Sequence, residues 1–412
     1  MTKVLGKWGP PFDVTIQENN HIVGKVYRDG DYFVYKRISD PYYDLNGHAT
    51  VMRTSQDLNL RLSSESLSPG QGAYGKSPTK VIFDECLVGE TAWSSTDPCF
   101  TRVRLPLANI MEYLSIWPIS EEHSRDGGMV VTAKDFEKFH FNIPPLNAKG
   151  FIRFGYHWKS RTFVEQKFTA QAEVAIEYDE ALPLGSIKQH EDWLRAFFDY
   201  IWFRGHRSGL LYLENRDTLA VLHRRESVSR EVKVGHALGQ RKILTHDDLP
   251  QWIERWFSLD EAQRLAIEPV VTLARNPSII TDMKFVMALH ALDALLQTLR
   301  QTTSRDKELA ARLKNHLGPL WQKKALRDKR IEDYIDHLVW TRNDLLKAVR
   351  HEKATAANRL SPIERTSAYF EILLLHRALF LEIIGVEQEV LEQFIETGFK
   401  KISIQQFRHF KD

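Results

Sequence analysis

The residues best able to do chemistry are concentrated between positions 336 and 347. This stretch reads Asp336-His337-Leu338-Val339-Trp340-Thr341-Arg342-Asn343-Asp344-Leu345-Leu346-Lys347. Arg342 carries a guanidinium that stays charged at physiological pH, and Asn343 adds an amide beside it. The pattern predicts that this stretch is a buried helix. Burying these polar groups costs free energy unless they form ion pairs or hydrogen bonds, or bind a ligand. The Arg-Asn pair therefore indicates a site, and phosphate is a ligand that the planar guanidinium can hold bidentately.

The structural alternative for Arg342 is a buried salt bridge. Asp293 lies on a predicted neighbouring helix and is the simplest partner for such a bridge. A pair of this kind would hold two helices of a bundle in register. It would not exclude a site, since a carboxylate can also support a functional arginine.

The motif resembles that of the HEPN ribonucleases, and most closely the HEPN domains of ApeA-like phage-defence proteins. That family has an Arg-Asn pair, three further residues and then a histidine. Arg342 and Asn343 match, whereas Lys347 stands at the histidine position. The helical segment from Phe285 to Leu296 also resembles the family, with Asp293 in place of the usual Glu. So does the apolar segment from Ser361 to Gly385. A weaker resemblance lies near the N-terminus, at Gly6-Lys7-Trp8-Gly9-Pro10-Pro11 and Ile22-Val23-Gly24-Lys25-Val26.

The resemblance implies a metal-independent endoribonuclease that acts in anti-phage defence by abortive infection. In such enzymes the 2′-hydroxyl attacks the adjacent phosphorus, which requires a base, an acid and a fixed cation. Arg342 would be the cation, Asn343 would orient the RNA, and Lys347 would stand in the acid/base position, with Asp293 and Asp344 in support. The resemblance further implies a homodimer, RNA as the partner, a phage-derived activator at the N-terminal domain, and neither a cofactor nor a metal ion.

Lys347 is the departure from the family pattern. Lysine has an ordinary pKa near 10.4, so it is a poor base at neutral pH unless its surroundings lower that pKa. Three explanations stay open: the lysine was introduced to silence a toxic enzyme, the chain is a natural inactive relative, or another histidine serves. The first two are preferred, and the inactive relative would be an RNA-binding or regulatory protein.

Two other histidines could take the place of the missing motif histidine. His351 follows Arg342 by nine residues, which on a continuous helix places it about half a turn out of phase. Arg330 and His337 are seven apart and share a helix face, which satisfies the generic family spacing. A pair with this spacing also arises readily by chance, because the chain has 16 histidines.

Composition is that of a folded protein with more than one domain. The chain has 412 residues, 27% of them charged and 43% hydrophobic, which is ordinary for globular proteins. The net charge of +2 gives no global argument for nucleic-acid binding. Cys86 and Cys99 lack a zinc-type spacing and are expected to be free thiols. No leader or membrane span is evident, so we expect a cytoplasmic location.

The expected fold class is α+β. Short strand-like segments before about Pro183, with Asp29-Gly30 as a hairpin turn, predict a β-rich N-terminal domain over residues 1–185. Helical spacing from Ile187 begins a mixed connecting region, 186–275, and residues 276–412 are predicted to form a HEPN-like helical bundle. Ser361-Pro362-Ile363-Glu364 predicts a capped helix start, and Gly385 predicts its end.

Overall fold

The computed structural model describes residues 13–18, 21–29, 32–37, 49–53, 59–63, 80–83, 85–89, 99–107, 110–114, 116–123, 129–160, 166–203, 205, 210–215, 218–224, 246–276, 278–298, 309–315, 331–346 and 359–409. The chain divides into two compact units. Unit 1 contains Met1–Asp192 and Arg207–Val228, and unit 2 contains Trp193–His206 and Ser229–Asp412. The connecting region expected over 186–275 is therefore divided between the two units.

The described strands all belong to unit 1. They are β1 Asp13–Glu18, β2 His21–Asp29, β3 Tyr32–Arg37, β4 Ala49–Arg53, β5 Asn59–Ser63, β6 Lys80–Phe83, β7 Glu85–Gly89, β8 Phe100–Pro106, β9 Ile119–His123, β10 Met129–Ala133, β11 Phe136–Ile143, β12 Ala148–Ser160, β13 Gln166–Leu182, β14 Leu210–Asn215 and β15 Thr218–Arg224. A short helix, α1 Ile110–Leu114, follows β8, and a 3-10 turn, Pro144–Leu146, joins β11 to β12.

Three antiparallel sheets are formed by these strands. The largest has nine strands in the order β11-β12-β13-β8-β14-β15-β7-β5-β4, the second has the order β1-β2-β3-β6, and β9 pairs with β10. The predicted hairpin at Asp29-Gly30 is confirmed, because Asp29 pairs with Tyr32 across a two-residue connection. Strands β14 and β15 lie within residues 186–275, which the sequence predicted to be a mixed connecting region.

The nine-stranded sheet is amphipathic in its described central strands. One face is apolar and buried, as two-residue periodicity requires: it carries Ile152, Phe154, Val174, Ile176, Val103, Leu105, Leu211 and Leu213. The other face carries a chain of ion pairs across four strands. Its members, in order of contact, are Asp135, Arg153, Glu173, Arg104, Glu214, Arg102 and Glu177, with N–O distances from 2.6 to 3.8 Å.

Unit 2 is built from helices. The longer helices are α2 Leu184–Trp202, of which residues 193–202 belong to this unit, α3 Leu249–Phe257, α4 Glu261–Arg275, α5 Thr281–Thr298, α6 Ile331–Leu346, α7 Pro362–Ile383 and α8 Gln388–His409. Residues 309–315 are also helical, and a 3-10 turn, His246–Asp248, precedes α3. Helix α5 packs against α4, α6 and α7, and α7 also packs against α8.

The ends of α7 are those that the sequence predicted. The Ser361 hydroxyl accepts a hydrogen bond from the Glu364 amide at 3.3 Å, and the Glu364 carboxylate accepts one from the Ser361 amide at 2.8 Å. This reciprocal capping box satisfies two amides that the helix itself leaves unpaired. At the other end Gly385 has a φ of 79°, the left-handed conformation that glycine adopts without a steric penalty.

Helix α7 is buried nearly all round, as its apolar sequence predicted, and yet it carries polar groups. His376 is fully buried: its Nδ1 accepts a hydrogen bond from the Tyr200 hydroxyl at 2.8 Å, and its Nε2 donates to the Ala266 carbonyl at 3.2 Å. The neighbouring Arg377 donates to the Ile201 carbonyl near the end of α2. These bonds satisfy groups whose burial alone would be costly, so they fix α2 and α4 against α7.

The aromatic face of α2 is part of the same core. Trp193 and Trp256 stack with their ring centroids 4.5 Å apart. Each indole also donates to the other residue's backbone carbonyl, at 3.4 Å from Trp193 and 2.9 Å from Trp256. These contacts make the part of α2 in unit 2 a packed element of the core.

The described chain thus combines antiparallel sheets in its N-terminal part with helices in its C-terminal part, consistent with the expected α+β class. Cys86 and Cys99 do not form a disulfide, and Cys86 is buried. Among the described helices, none combines the length and the apolar character needed to cross a membrane.

The buried histidine makes stability depend on pH in a predictable direction. Burial lowers the pKa of His376 from 6.5 to about 4, with the nearby Arg377 acting in the same direction. Between these pH values the unfolded chain binds the proton more readily, so the free energy of unfolding falls as pH falls from 6.5 to 4. The loss from this group is on the order of 3 kcal/mol. Urea unfolding at several pH values should show a shallower acid loss in His376→Gln than in the parent chain.

The control is His290→Gln, which changes an exposed histidine on α5. It should retain the parent's pH dependence. An identical acid loss in His376→Gln and the parent would show that His376 is not the group responsible.

Candidate functional site

Helix α6 carries Arg342, and two polar bonds fix how this helix is rotated. Its buried stripe contains Tyr334, Leu338 and Thr341, at the spacing of one helix face. The Tyr334 hydroxyl donates to the Glu371 carboxylate on α7 at 2.7 Å. The Thr341 hydroxyl accepts from the Leu360 amide, just before α7, at 3.0 Å. Rotating α6 would break both bonds, so the position of Arg342 is determined by its neighbours.

The tyrosine in this pair is held protonated. Burial raises the pKa of Tyr334 well above its ordinary value, and the Glu371 carboxylate raises it further. The hydroxyl therefore acts as a donor and the carboxylate as an acceptor. This buried bond anchors the first half of α6.

Arg342 itself has few partners. Its Nη1 donates to the Asn343 side-chain oxygen at 3.3 Å, a long bond between adjacent residues. Its Nε is buried and has no hydrogen-bond partner among the described residues. The Nε atoms of Arg102 and Arg365 are also buried without a hydrogen bond, but both of those arginines form ion pairs, so the lack of a carboxylate partner among the described residues is what sets Arg342 apart from them.

The expected partner, Asp293, is engaged elsewhere. Its carboxylate accepts from Arg312 Nε at 2.7 Å and lies 2.6 Å from Arg312 Nη2. Both side chains are buried. Where the sequence suggested an Arg342–Asp293 bridge, or Asp293 as support for the motif arginine, the structure therefore places Asp293 against Arg312.

Asp344 is likewise paired with another arginine. Its carboxylate lies 2.9 Å from Arg359 Nη1. Arg365 lies 2.7 Å from Asp282, and Lys314 lies 2.9 Å from Asp336 on α6.

Four cations on α6 or on the segments that contact it therefore have a carboxylate within ion-pair distance: Arg312, Lys314, Arg359 and Arg365. Within the part of the chain that the structure describes, Arg342 has no such partner. Among the described residues, no carboxylate therefore neutralises its guanidinium.

The other predicted site residues are only partly accounted for. Lys347, His351 and Arg330 lie outside the described residues. His337 is half-buried and stacks at a tilt against Trp340, with ring centroids 5.7 Å apart. It is five residues from Arg342, or about 140° around the helix, so the two side chains project from different sides.

Sequence reasoning missed Arg312, Arg359, Arg365 and Thr341. Arg359 and Arg365 flank the capping box at Ser361, and Arg365 also donates to the Leu360 carbonyl at 3.0 Å. The capping signature placed this helix start along the chain but did not indicate which helix lies beside it. The described residues contain no group of three or more His, Cys, Asp or Glu side chains suited to hold a metal ion.

Comparison with protein-family models, with curated proteins and with solved structures finds no match for this chain. The resemblance to HEPN domains therefore rests on the sequence features described above and not on a matched family or structure.

The ion-pair pattern predicts that two arginines on neighbouring helical segments differ sharply in their contribution to stability. Arg312→Met leaves Asp293 buried and unpaired, which typically costs about 3–5 kcal/mol. Arg342→Met removes a cation without a carboxylate partner in the described chain, so its cost should be about 1 kcal/mol or less. Urea unfolding of the two variants measures both values. A loss for Arg342→Met as large as that for Arg312→Met would make Arg342 a structural residue.

Proposed function

We propose that this protein is a metal-independent endoribonuclease of the HEPN type and that it acts in anti-phage defence by abortive infection. The observation that carries the proposal is the state of Arg342: a half-buried guanidinium with no carboxylate partner among the described residues, held beside Asn343. A phosphodiester is an anion of the kind that such a fork binds bidentately. The biological role is supported by the family resemblance alone.

The proposed reaction is an internal transfer on RNA. The 2′-hydroxyl oxygen attacks the adjacent phosphorus, its proton leaves to a base, and the 5′-oxygen departs with a proton from an acid. The products are a cyclic phosphate and a 5′-hydroxyl. Arg342 would stabilise the charge that grows on the phosphate oxygens, and Asn343 would orient the phosphate or the 2′-hydroxyl. As an ammonium ion Lys347 could serve as the acid but not as the base.

The second candidate is an RNA-binding or regulatory protein of the same type without catalytic activity. Lys347 favours it, since an ammonium binds phosphate well but cannot accept a proton. Both candidates use Arg342 to hold RNA, and they differ in whether a bond is cut.

The proposal includes a homodimer. One chain offers a single copy of the Arg342–Asn343 motif, whereas two copies about a two-fold axis would form one shared positive cleft. The solution mass tests this part directly, and a strict monomer would count against it.

RNA binding should depend on Arg342 in particular. We expect Arg342→Gln to weaken binding of a single-stranded RNA at least tenfold and to reduce the steepness of its salt dependence, because one phosphate contact is lost. Fluorescence anisotropy at several salt concentrations measures both quantities. Lys134→Gln is the matched control, since it removes an exposed positive charge from unit 1. Equal affinities for the parent chain and Arg342→Gln would remove the basis of the proposal.

Cleavage should depend on the residue at position 347. Lys347→His supplies a group that can take and return a proton near neutral pH, so cleavage should rise at least tenfold, roughly the low end of acid/base effects. The assay is run in EDTA, and the products are examined for cyclic phosphate ends. Robust cleavage by the parent with no gain from histidine would contradict the assigned role of this position. Activity abolished by chelator and restored by magnesium would contradict the metal-independent mechanism.

A further inference from the structure

Strand β11 contains a bulge that changes which of its side chains face outward. Lys138 pairs with Ile152 and Phe141 pairs with Gly150, so two residues of β11, Phe139 and His140, oppose the single residue Phe151. This extra residue shifts the two-residue alternation by one position. Glu137, His140 and Asn142 consequently share one face of the sheet. That face is the one with the ion pairs.

The bulge is built at a conformational cost. Phe139 has a φ of 59°, a left-handed conformation that bulky side chains rarely adopt, although its ring is buried. Such backbone strain costs on the order of 1–3 kcal/mol and clusters at functional sites. The contact between the Phe141 ring and Gly150 is also tight. A Cβ on Gly150 would lie 2.2 Å from the Phe141 ring, so only glycine fits beneath this aromatic side chain.

A cavity lies at the bulge, entirely within unit 1. Its volume is about 320 Å³, which lies at the small end of the range for small-molecule sites. Two other lining groups lie near the ring of Phe151, which is also part of the lining: the Arg102 guanidinium is 5.3 Å from its ring centroid, and the His140 ring centroid is 5.7 Å away. Arg102 is held in turn by Glu177 at 3.2 Å and Glu214 at 3.5 Å.

The charges of the lining decide what kind of ligand the cavity suits. Two cations, Arg102 and Lys149, and two anions, Glu137 and Glu177, line it. Arg102 and Glu177 neutralise each other. Glu137 and Lys149 are both exposed, and neither forms an ion pair within the described part of the chain. The cavity therefore offers one carboxylate acceptor and one ammonium donor beside an imidazole ring, with no excess charge to attract an anion.

We propose that this cavity binds a nucleoside, with guanosine as the best fit. A planar base can stack on the exposed His140 ring, as bases do on aromatic side chains. Guanine carries N–H donors that suit the Glu137 carboxylate, and its O6 and N7 acceptors suit the Lys149 ammonium. A free phosphate fits poorly, because the lining carries no excess positive charge and the Glu137 carboxylate would repel it. This site is independent of the RNA site proposed on α6.

The test is equilibrium dialysis of the full chain against guanosine, ribose and inorganic phosphate. Guanosine should bind with a Kd below about 1 mM, and ribose and phosphate should bind at least tenfold more weakly. Glu137→Gln and Lys149→Gln should each weaken guanosine binding about tenfold, since each removes a charge-assisted hydrogen bond. Both residues are on the surface, so the fold should tolerate the changes.

Matched controls lie on nearby strands and loops of unit 1. Glu121→Gln and Lys134→Gln make the same changes at exposed positions outside the cavity and should leave guanosine binding unchanged. The proposal is overturned if guanosine does not bind, if phosphate binds as tightly as guanosine, or if the two cavity variants bind guanosine like the parent. None of these results depends on RNA cleavage, so the α6 site is tested separately.

Discussion

The burial of polar groups on α7 is the constraint on which the helical unit depends. A helix with no solvent-facing side through most of its length must find a partner for each polar side chain it carries. His376 is satisfied by Tyr200 and the Ala266 carbonyl, Arg377 by the Ile201 carbonyl among its contacts, and Glu371 by Tyr334. These bonds reach three other helices, α2, α4 and α6. The hydrogen bonds of the buried polar side chains on α7 thereby fix the end of α2, the middle of α4 and the rotation of α6.

The candidate site is a consequence of that arrangement. Because the Tyr334–Glu371 bond and the Thr341–Leu360 bond lie along one stripe of α6, they determine where the adjacent residue 342 projects. The neighbouring carboxylates are then taken by other cations, Asp293 by Arg312 and Asp344 by Arg359. Arg342 has no carboxylate partner in the part of the chain that the structure describes, and it is therefore more informative than an arginine in a salt bridge, because pairing does not explain its partial burial.

Local features of the fold were predictable from sequence, and long-range pairings were not. The capping box at Ser361, the glycine at 385 and the hairpin after Asp29 are each determined by residues within a few positions of one another. The partner of Asp293, in contrast, is not determined by nearby residues. Arg312 and Arg342 are both arginines at plausible distances along the chain, and only the packing of the helices decides between them. The same reasoning explains why β14 and β15 were not recognised, since their place in the sheet depends on β8 and β7.

The bulge in β11 is a case in which the local pattern was misleading. Strict alternation would assign Glu137 and His140 to opposite faces, because they are three residues apart. The structure brings them to one face by placing Phe139 in a left-handed conformation, which nothing in the residue type favours. Phe139 is buried and contacts Phe154 edge to face, with ring centroids 6.4 Å apart, so its packing offsets part of the backbone strain. That packing comes from the neighbouring strand β12, and it is therefore the sheet rather than the sequence of β11 that determines which groups line the cavity.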